Sequence, residues 1–348
     1  MLGAAALGDC GRDVGLFSPA PSIHPEAAGS TASLQAASAR GFKAKESPTV
    51  RTGIGIEPRG PMRGRQDAVM MSSPRPLATS SRDVTVRLTA IIAARNEAPY
   101  IGRCCEHLAT QGISFAVIDN GSTDGTRAIV DSFQGRGLIC VADHPYHGVY
   151  DWDALLKHKE ELARDLDSDW FMHLDADEIP ESPQRHESLL ARIATADAEG
   201  YTAVNFDEFV FVPETEDESH EGRDYVLEMH KYYFFQPWPE RLIRAWRKTA
   251  EIDLASSGGH AAMSSNRRLC PENFVLRHYI ALSMEQLVRK YLHNRVYSEA
   301  EVAKGWHTWR SQLTGTMIRV PPADELFDTR SDQGWIRSRP HDRHLFLR

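Results

Sequence analysis

From Val84 onward the chain alternates unbroken apolar runs with segments whose apolar residues recur at helical spacing. LTAIIAA (Leu88–Ala94) is apolar throughout, the mark of a strand covered on both faces of a parallel sheet. Asn96 is placed to N-cap a helix whose Ile101, Cys104, Cys105 and Leu108 share one side. Pro99 falls in its first turn, where a missing N–H costs least. FAVID (Phe115–Asp119) predicts a second strand, and NGSTDGT leads into a helix carrying Ile129, Val130 and Phe133. LICVAD (Leu138–Asp143) predicts a third strand, residues 151–166 a helix, and WFMHLDADE a fourth strand. This alternation predicts an α/β fold: an open mixed sheet, mostly parallel in its N-terminal half, with helices on both faces.

Farther on, Leu189, Leu190 and Ile193 mark a helix closed by Gly200, and Tyr201–Pro213 reads as a long strand. ETEDESHEGRD (Glu214–Asp224) reads as a solvated loop, ERLIRAWRK (Glu240–Lys248) as another strand, and SSGGHAAM as a glycine turn holding His260. FVLRHY leads to Ser283-x-x-Gln286, a capping box. The helix it starts turns Leu287, Tyr291 and Leu292 inward and Arg289, Lys290 and Arg295 partly outward. The domain is read as 84–312, and the tail 313–348 shows no pattern that predicts its structure.

Composition changes the picture at the N-terminus. Residues 1–83 carry ten Lys/Arg against seven Asp/Glu, so +3, which leaves -11 of the total -8 for residues 84–348. Rich in Ala, Ser, Pro and Gly and without periodicity, this stretch is expected to be disordered, or to precede a start at Met62, Met70 or Met71. A basic tether to anionic membrane is the alternative, and its scattered charges disfavour it. MLGAAALGDCGRD lacks the basic and apolar regions of a signal peptide. No apolar run is long enough to span a bilayer, and the five cysteines have no zinc-like spacing. The expectation is a cytoplasmic protein, at most peripheral to a membrane, and its negative charge argues against a nucleic-acid partner.

The candidate chemistry lies where the strands end. In open α/β sheets ligands bind beyond the carboxyl ends of the strands, and Asn96, Asp119 and Asp175 all lie there. The fourth run stops in three carboxylates, Asp175, Asp177 and Glu178. Such a cluster repels itself unless a cation, a proton or open water relieves it. Asp175 and Asp177 are two apart at a strand end, so both can reach one point, and oxygen-only ligands suit Mn²⁺ or Mg²⁺ with a diphosphate behind it.

ARNE (Ala94–Glu97), IDNGSTDGT (Ile118–Thr126) and HLDADE (His173–Glu178), in this order, resemble the family 2 glycosyltransferases of GT-A fold, particularly members that act on lipopolysaccharide and other surface glycans. The resemblance covers about Leu88 to Tyr297. It implies transfer of a single sugar from a nucleotide-sugar donor, UDP-linked in most members, onto a glycan or lipid-linked acceptor. On it, Ala94, Asn96, Glu97, Asp119, Asn120 and Asp175 hold the nucleotide-sugar, and Asp175 and Asp177 hold the metal with His260 or His278. The family often has D-D-G where this chain has Asp119-Asn120-Gly121. An inverting transfer needs a carboxylate base for the acceptor hydroxyl; Glu240, before R-L-I-R, matches that place, with Asp207 and Glu208 as rivals.

Two other readings stay open on the residues alone. A haloacid dehalogenase-type phosphatase also ends an apolar strand in D-x-D and would use Asp175 as nucleophile, but on its first strand. A catalytically inactive nucleotide- or glycan-binding module would keep the fold and lose the base.

Overall fold

A computed structural model describes residues 86–249, 251–331 and 334–348, so the expectations for residues 1–83 lie outside the described residues. Among the described residues eleven strands form one sheet. In its first part β1 (Leu88–Ala94) runs parallel to β2 (Ser114–Asp119) and β4 (Trp170–Asp175), and β2 runs parallel to β3 (Leu138–Asp143). The intervening helices are α1 (Ala98–Thr110), α2 (Thr126–Asp131) and α3 (Trp152–Asp165).

The unbroken apolar run of β1 follows from its two covered faces. Leu88, Ala90 and Ile92 pack in one cluster with Tyr100, Ile101, Cys104 and Leu108 of α1. Ile91 points the other way, into a cluster with Leu155 and Leu156 of α3. A strand alternates its side chains with period two, so only a strand buried on both sides stays apolar throughout. The same period sends Phe171 of β4 to the α3 face and Met172 and Leu174 to the α1 face.

The second part of the sheet turns antiparallel. After β5 (Glu178–Glu181) and α4 (Leu189–Ala198), β6 (Ala203–Phe211) pairs antiparallel with β7 (Lys231–Phe235) and β8 (Leu242–Arg247), following the short α5 (Tyr225–Glu228). β8 joins the two parts by pairing with β4. β9 (Phe274–Tyr279) lies parallel to β6 and antiparallel to β5, which brings the residues after the D-x-D against the late FVLRHY segment.

The local expectations were met unevenly. Asn96 does not cap α1; Glu97 takes that position without a side-chain bond, and Asn96 turns the chain at φ 55. Ser283 does cap the next helix, α6 (Met284–Val288), accepting from the Gln286 N–H. Gln286 reaches back to the Leu282 N–H at 2.7 Å and so secures the entry to the helix one residue earlier than a strict box. The helix then widens into a π turn over Arg289–His293, and that turn carries Lys290 inward, contrary to its expected outward position.

The tail also adds structure. β10 (Phe327–Asp328) and β11 (Pro340–His341) pair with β7, and Phe346 is buried with Tyr233, Phe235, Met284 and Leu287. No helix among the described residues is long and apolar enough to cross a membrane.

Candidate active site

The parallel strands β1, β2 and β4 end together because their registers set Ala94 against Asp119 and Ala93 against Asp175. Above them opens a cleft of about 1010 Å³. Of the residues singled out from sequence, Ala94, Asn96, Glu97, Asn120, Asp175, Asp177, His260 and His278 line it; Asp119 and Glu240 do not.

The polar residues after β1 and β2 first hold the rim together. Asn96 Oδ1 accepts from the Thr123 N–H at 2.7 Å, and the Asn96 N–H donates to Ser122 Oγ at 3.1 Å. Asp119 Oδ1 accepts from the Ser122 N–H at 3.0 Å, which closes the NGST turn on itself. Asn120 Nδ2 donates to the His144 carbonyl at 2.9 Å. A carboxylate could not make that bond, so the local partner accounts for the amide in this chain's D-N-G. The other amide atom, Asn120 Oδ1, is buried with no protein partner among the described residues.

The carboxylate knot separates into individually paired groups. Asp175 ends β4 on the α3 side, with its two oxygens 3.9 Å from Lys159 and 3.9 Å from Arg244. Glu178 Oε1 accepts from Arg244 at 2.9 Å, and Oε2 accepts from the Asp175 N–H at 2.9 Å. Asp177 turns toward the opposite wall, where its Oδ2 accepts from Lys290 Nζ at 2.8 Å and lies 3.6 Å from His278 Nε2. His278 Nδ1 in turn bonds Glu208 Oε1 at 2.5 Å, and Glu208 Oε2 is paired with Arg241. Glu97 lies 3.6 Å from Lys290 and 3.5 Å from Arg295.

These pairs leave their mark on ionisation. Burial alone would raise the Asp177 carboxyl, but Lys290 and His278 hold it well below the usual carboxylate range. Glu208 is treated the same way by Arg241 and His278. Glu178 goes upward, because burial outweighs Arg244. Lys159, wholly buried, is pushed down to about 8 by burial against the pull of Asp175. Burial and the nearby arginines push His260 down to about 3.

The expected cation ligands Asp175, Asp177, His260 and His278 do not assemble into a metal site in this arrangement. Asp175 and Asp177 face different basic partners, and the oxygen of Asp177 nearest His278 already carries the Lys290 ammonium. His260 packs edge-on to Trp238, with ring centroids 6.1 Å apart. Among the described residues no group of three His, Cys, Asp or Glu side chains converges as a metal site would. In this arrangement Lys159, Arg244 and Lys290 are the cations that meet the charge at the strand end.

Sequence reasoning also passed over Lys159. Trp152, Leu155, Leu156, Leu162 and Ala163 form the buried stripe of α3, and Lys159 occupies the stripe position between them. A basic residue at a core position of an amphipathic helix was the available signal. For the base, Glu240 is exposed on a turn at φ 54, and Asp207 is tied to Arg337 at 2.6 Å and Asn273 at 2.9 Å. Glu208, its neighbour on β6, points to the opposite face and lines the cleft. Of the aromatics, Tyr232, Tyr233, Phe234, Phe235 and Trp246 are core residues, and Trp238 stands 51% exposed at the cleft.

Residues 89–249 match the family model "Glycosyl transferase family 2". The lipopolysaccharide core biosynthesis glycosyltransferase LpsC of Rhizobium meliloti (strain 1021) is 33% identical over 92 residues, 26% of this chain and 32% of the relative. The chain thus spans about a third of the length of that curated relative. Among solved structures, Staphylococcus aureus TarS 1-349 is 15% identical, with 62% of this chain and 68% of that one covered at a TM-score of 0.36. Glucosyl-3-phosphoglycerate synthase from Mycobacterium tuberculosis, solved with Mn²⁺, UDP and glucosyl-3-phosphoglycerate, is 18% identical over 36% and 44% of the two chains, at a TM-score of 0.25. These structural likenesses are too slight to bear on the ligands of this chain. Over residues 89–249 the chain is similar to glycosyl transferase family 2, a likeness that favours the transferase reading over the phosphatase alternative.

Proposed function

We propose that this protein transfers a single sugar from a nucleoside-diphosphate sugar, UDP-linked, to a hydroxyl of a glycan or glycolipid precursor, with inversion. The observation that carries the reading is the convergence of Asn96, Asn120 and Asp175, from the ends of three parallel strands, on one cleft of about 1010 Å³. That volume suits a nucleotide-sugar with room for part of an acceptor. Asn120 Oδ1, buried without a partner, supplies an acceptor for a base N–H. Asn96 and Asp119 act by fixing the two loops between which the nucleoside lies, and Asp175 takes the ribose side. Glu97 shapes the floor through Lys290 and Arg295.

In a single displacement the acceptor hydroxyl attacks the anomeric carbon, its bond to the diphosphate breaks, and the hydroxyl proton passes to a base. We place that base on Glu208 in preference to Glu240, because Glu208 faces the cleft and its neighbours keep it ionised at neutral pH. The test is incubation with a panel of nucleoside-diphosphate sugars and candidate acceptors, following release of the nucleoside diphosphate. Turnover of one donor, lost in Asp175→Asn, supports the reading; neither binding nor turnover of any donor overturns it.

A further inference from the structure

The carboxylates at the end of β4 raise the question of what balances a bound diphosphate, and Lys290 suggests an answer. Its ammonium lies 2.8 Å from Asp177 Oδ2 and 3.6 Å from Glu97, and 5.0 Å from the centre of the Tyr100 ring. The side chain is 11% exposed, so it is held in place and not swinging in solvent. It nevertheless lines the cleft, as does Arg244, which reaches Glu178 at 2.9 Å and stands 3.9 Å from Asp175. A lysine ammonium has three donors, and the 2.8 Å bond to Asp177 uses one of them.

A divalent ion on the same carboxylate meets this lysine. An Mn²⁺ or Mg²⁺ bound to Asp177 Oδ2 at about 2.1 Å lies within about 5 Å of the Lys290 nitrogen, two like charges in a buried corner. Glu208 bonds His278 Nδ1 in the manner of a carboxylate that orients a metal-bound histidine. Yet His278 Nε2 faces the oxygen that Lys290 already holds. Asp175, the other half of the D-x-D, is turned to Lys159 and Arg244. Each carboxylate at the strand end therefore has its own basic partner before any ion arrives.

We propose that Lys290, with Arg244, stands in for the divalent cation: the donor's diphosphate is neutralised by side chains of this chain, and nucleotide binding does not require a metal ion. The inference rests on the transferase reading. Lysine suits the task as a compact point charge for phosphate oxygens, and it needs no free ion. Asp177 then serves to position Lys290 and does not act as a metal ligand.

The test is calorimetric titration of the purified full chain with UDP, GDP, CDP and dTDP, once in excess chelator and once in Mn²⁺. Binding of free Mn²⁺ is followed separately by its paramagnetic resonance signal. One nucleotide is expected to bind in chelator within about threefold of its affinity in Mn²⁺. Lys290→Met is expected to weaken that binding about tenfold or more, and Lys290→Arg to restore most of it. Nucleotide binding seen only with Mn²⁺ overturns the proposal and leaves the transferase reading standing. Unchanged binding by a folded Lys290→Met also overturns it. Should Lys290→Met fail to fold, the wild-type comparison of chelator with Mn²⁺ still decides. Failure of every nucleotide in both buffers sinks the transferase reading itself.

Discussion

Lys159 Nζ lies 2.9 Å from His173 Nδ1, a contact between the buried face of α3 and the strand that ends in Asp175. The same ammonium donates to the Leu174 carbonyl at 2.9 Å. The lysine thus pins the last two residues before Asp175 from behind and lends Asp175 a positive neighbour. Its charge is costly in this place, and stability should show it. Its pKa falls from the ordinary 10.5 to about 8, so between those values the unfolded chain binds more protons than the folded one. The burial penalty is in full force below pH 8 and is relieved as pH rises toward 10.5. Chemical denaturation of wild type beside Lys159→Met should show the wild type gaining stability relative to the variant over that range. A pH-independent difference would contradict the assignment.

Asp175→Asn should leave the fold intact and lower turnover about a hundredfold or more, because Asp175 is the least buried carboxylate of the group, at 35% side-chain exposure. Circular dichroism with steady-state kinetics checks both halves. Wild-type turnover in a folded variant removes Asp175 from the site.

Glu208→Gln and Glu240→Gln separate the two candidate bases. The first should cost about a hundredfold or more in kcat with nucleotide affinity retained, and the second should change kcat less than about twofold. The reverse order would restore Glu240. Because Glu240 sits at φ 54, Glu240→Gly should also raise stability by about 0.5–1 kcal/mol, read from the denaturation midpoint.

Gly259 follows Gly258, whose carbonyl accepts from Trp152 Nε1, and it turns the chain at φ +82 beneath the cleft. A Cβ here would meet Leu156 Cδ2 at 3.0 Å and the Trp152 ring at 3.1 Å. Gly259→Ala combines backbone strain with overpacking and should cost about 2–3 kcal/mol, measurable by urea denaturation.

Phe346 is fully buried near the C-terminal end and stacks on His344, with ring centroids 4.9 Å apart. Phe346→Ala should cost about 3–5 kcal/mol if the tail folds as one unit with the sheet. A change below about 1 kcal/mol in the same unfolding transition would show that the tail docks weakly.

Much of the fold could be read along the chain because its first part is built from local signals. The runs Leu88–Ala94 and Leu138–Asp143 are strands at the residues the pattern marks, and residues 152–165 are the helix expected across 151–166. A strand between two helical layers must be apolar on both faces, so its length and position are written in consecutive residues. Pairings made at long range leave no such trace. The pattern along the chain marks neither the short β5 nor β7 as a separate strand. Both are strands only because β9 and β6 lie beside them.

The site divides along the same line. The sequence by itself determined that polar residues gather at the ends of β1, β2 and β4, since alternation and parallel order put those ends on one edge. It also determined that negative charge accumulates there and needs a partner. Only the tertiary structure decided which partner. Lys159 arrives from a helix earlier in the chain, Arg244 from an antiparallel strand and Lys290 from a π turn more than a hundred residues later. Charge pairing depends on distances of a few ångströms in space, and chain spacing carries no record of contacts that a crossover or a widened turn creates.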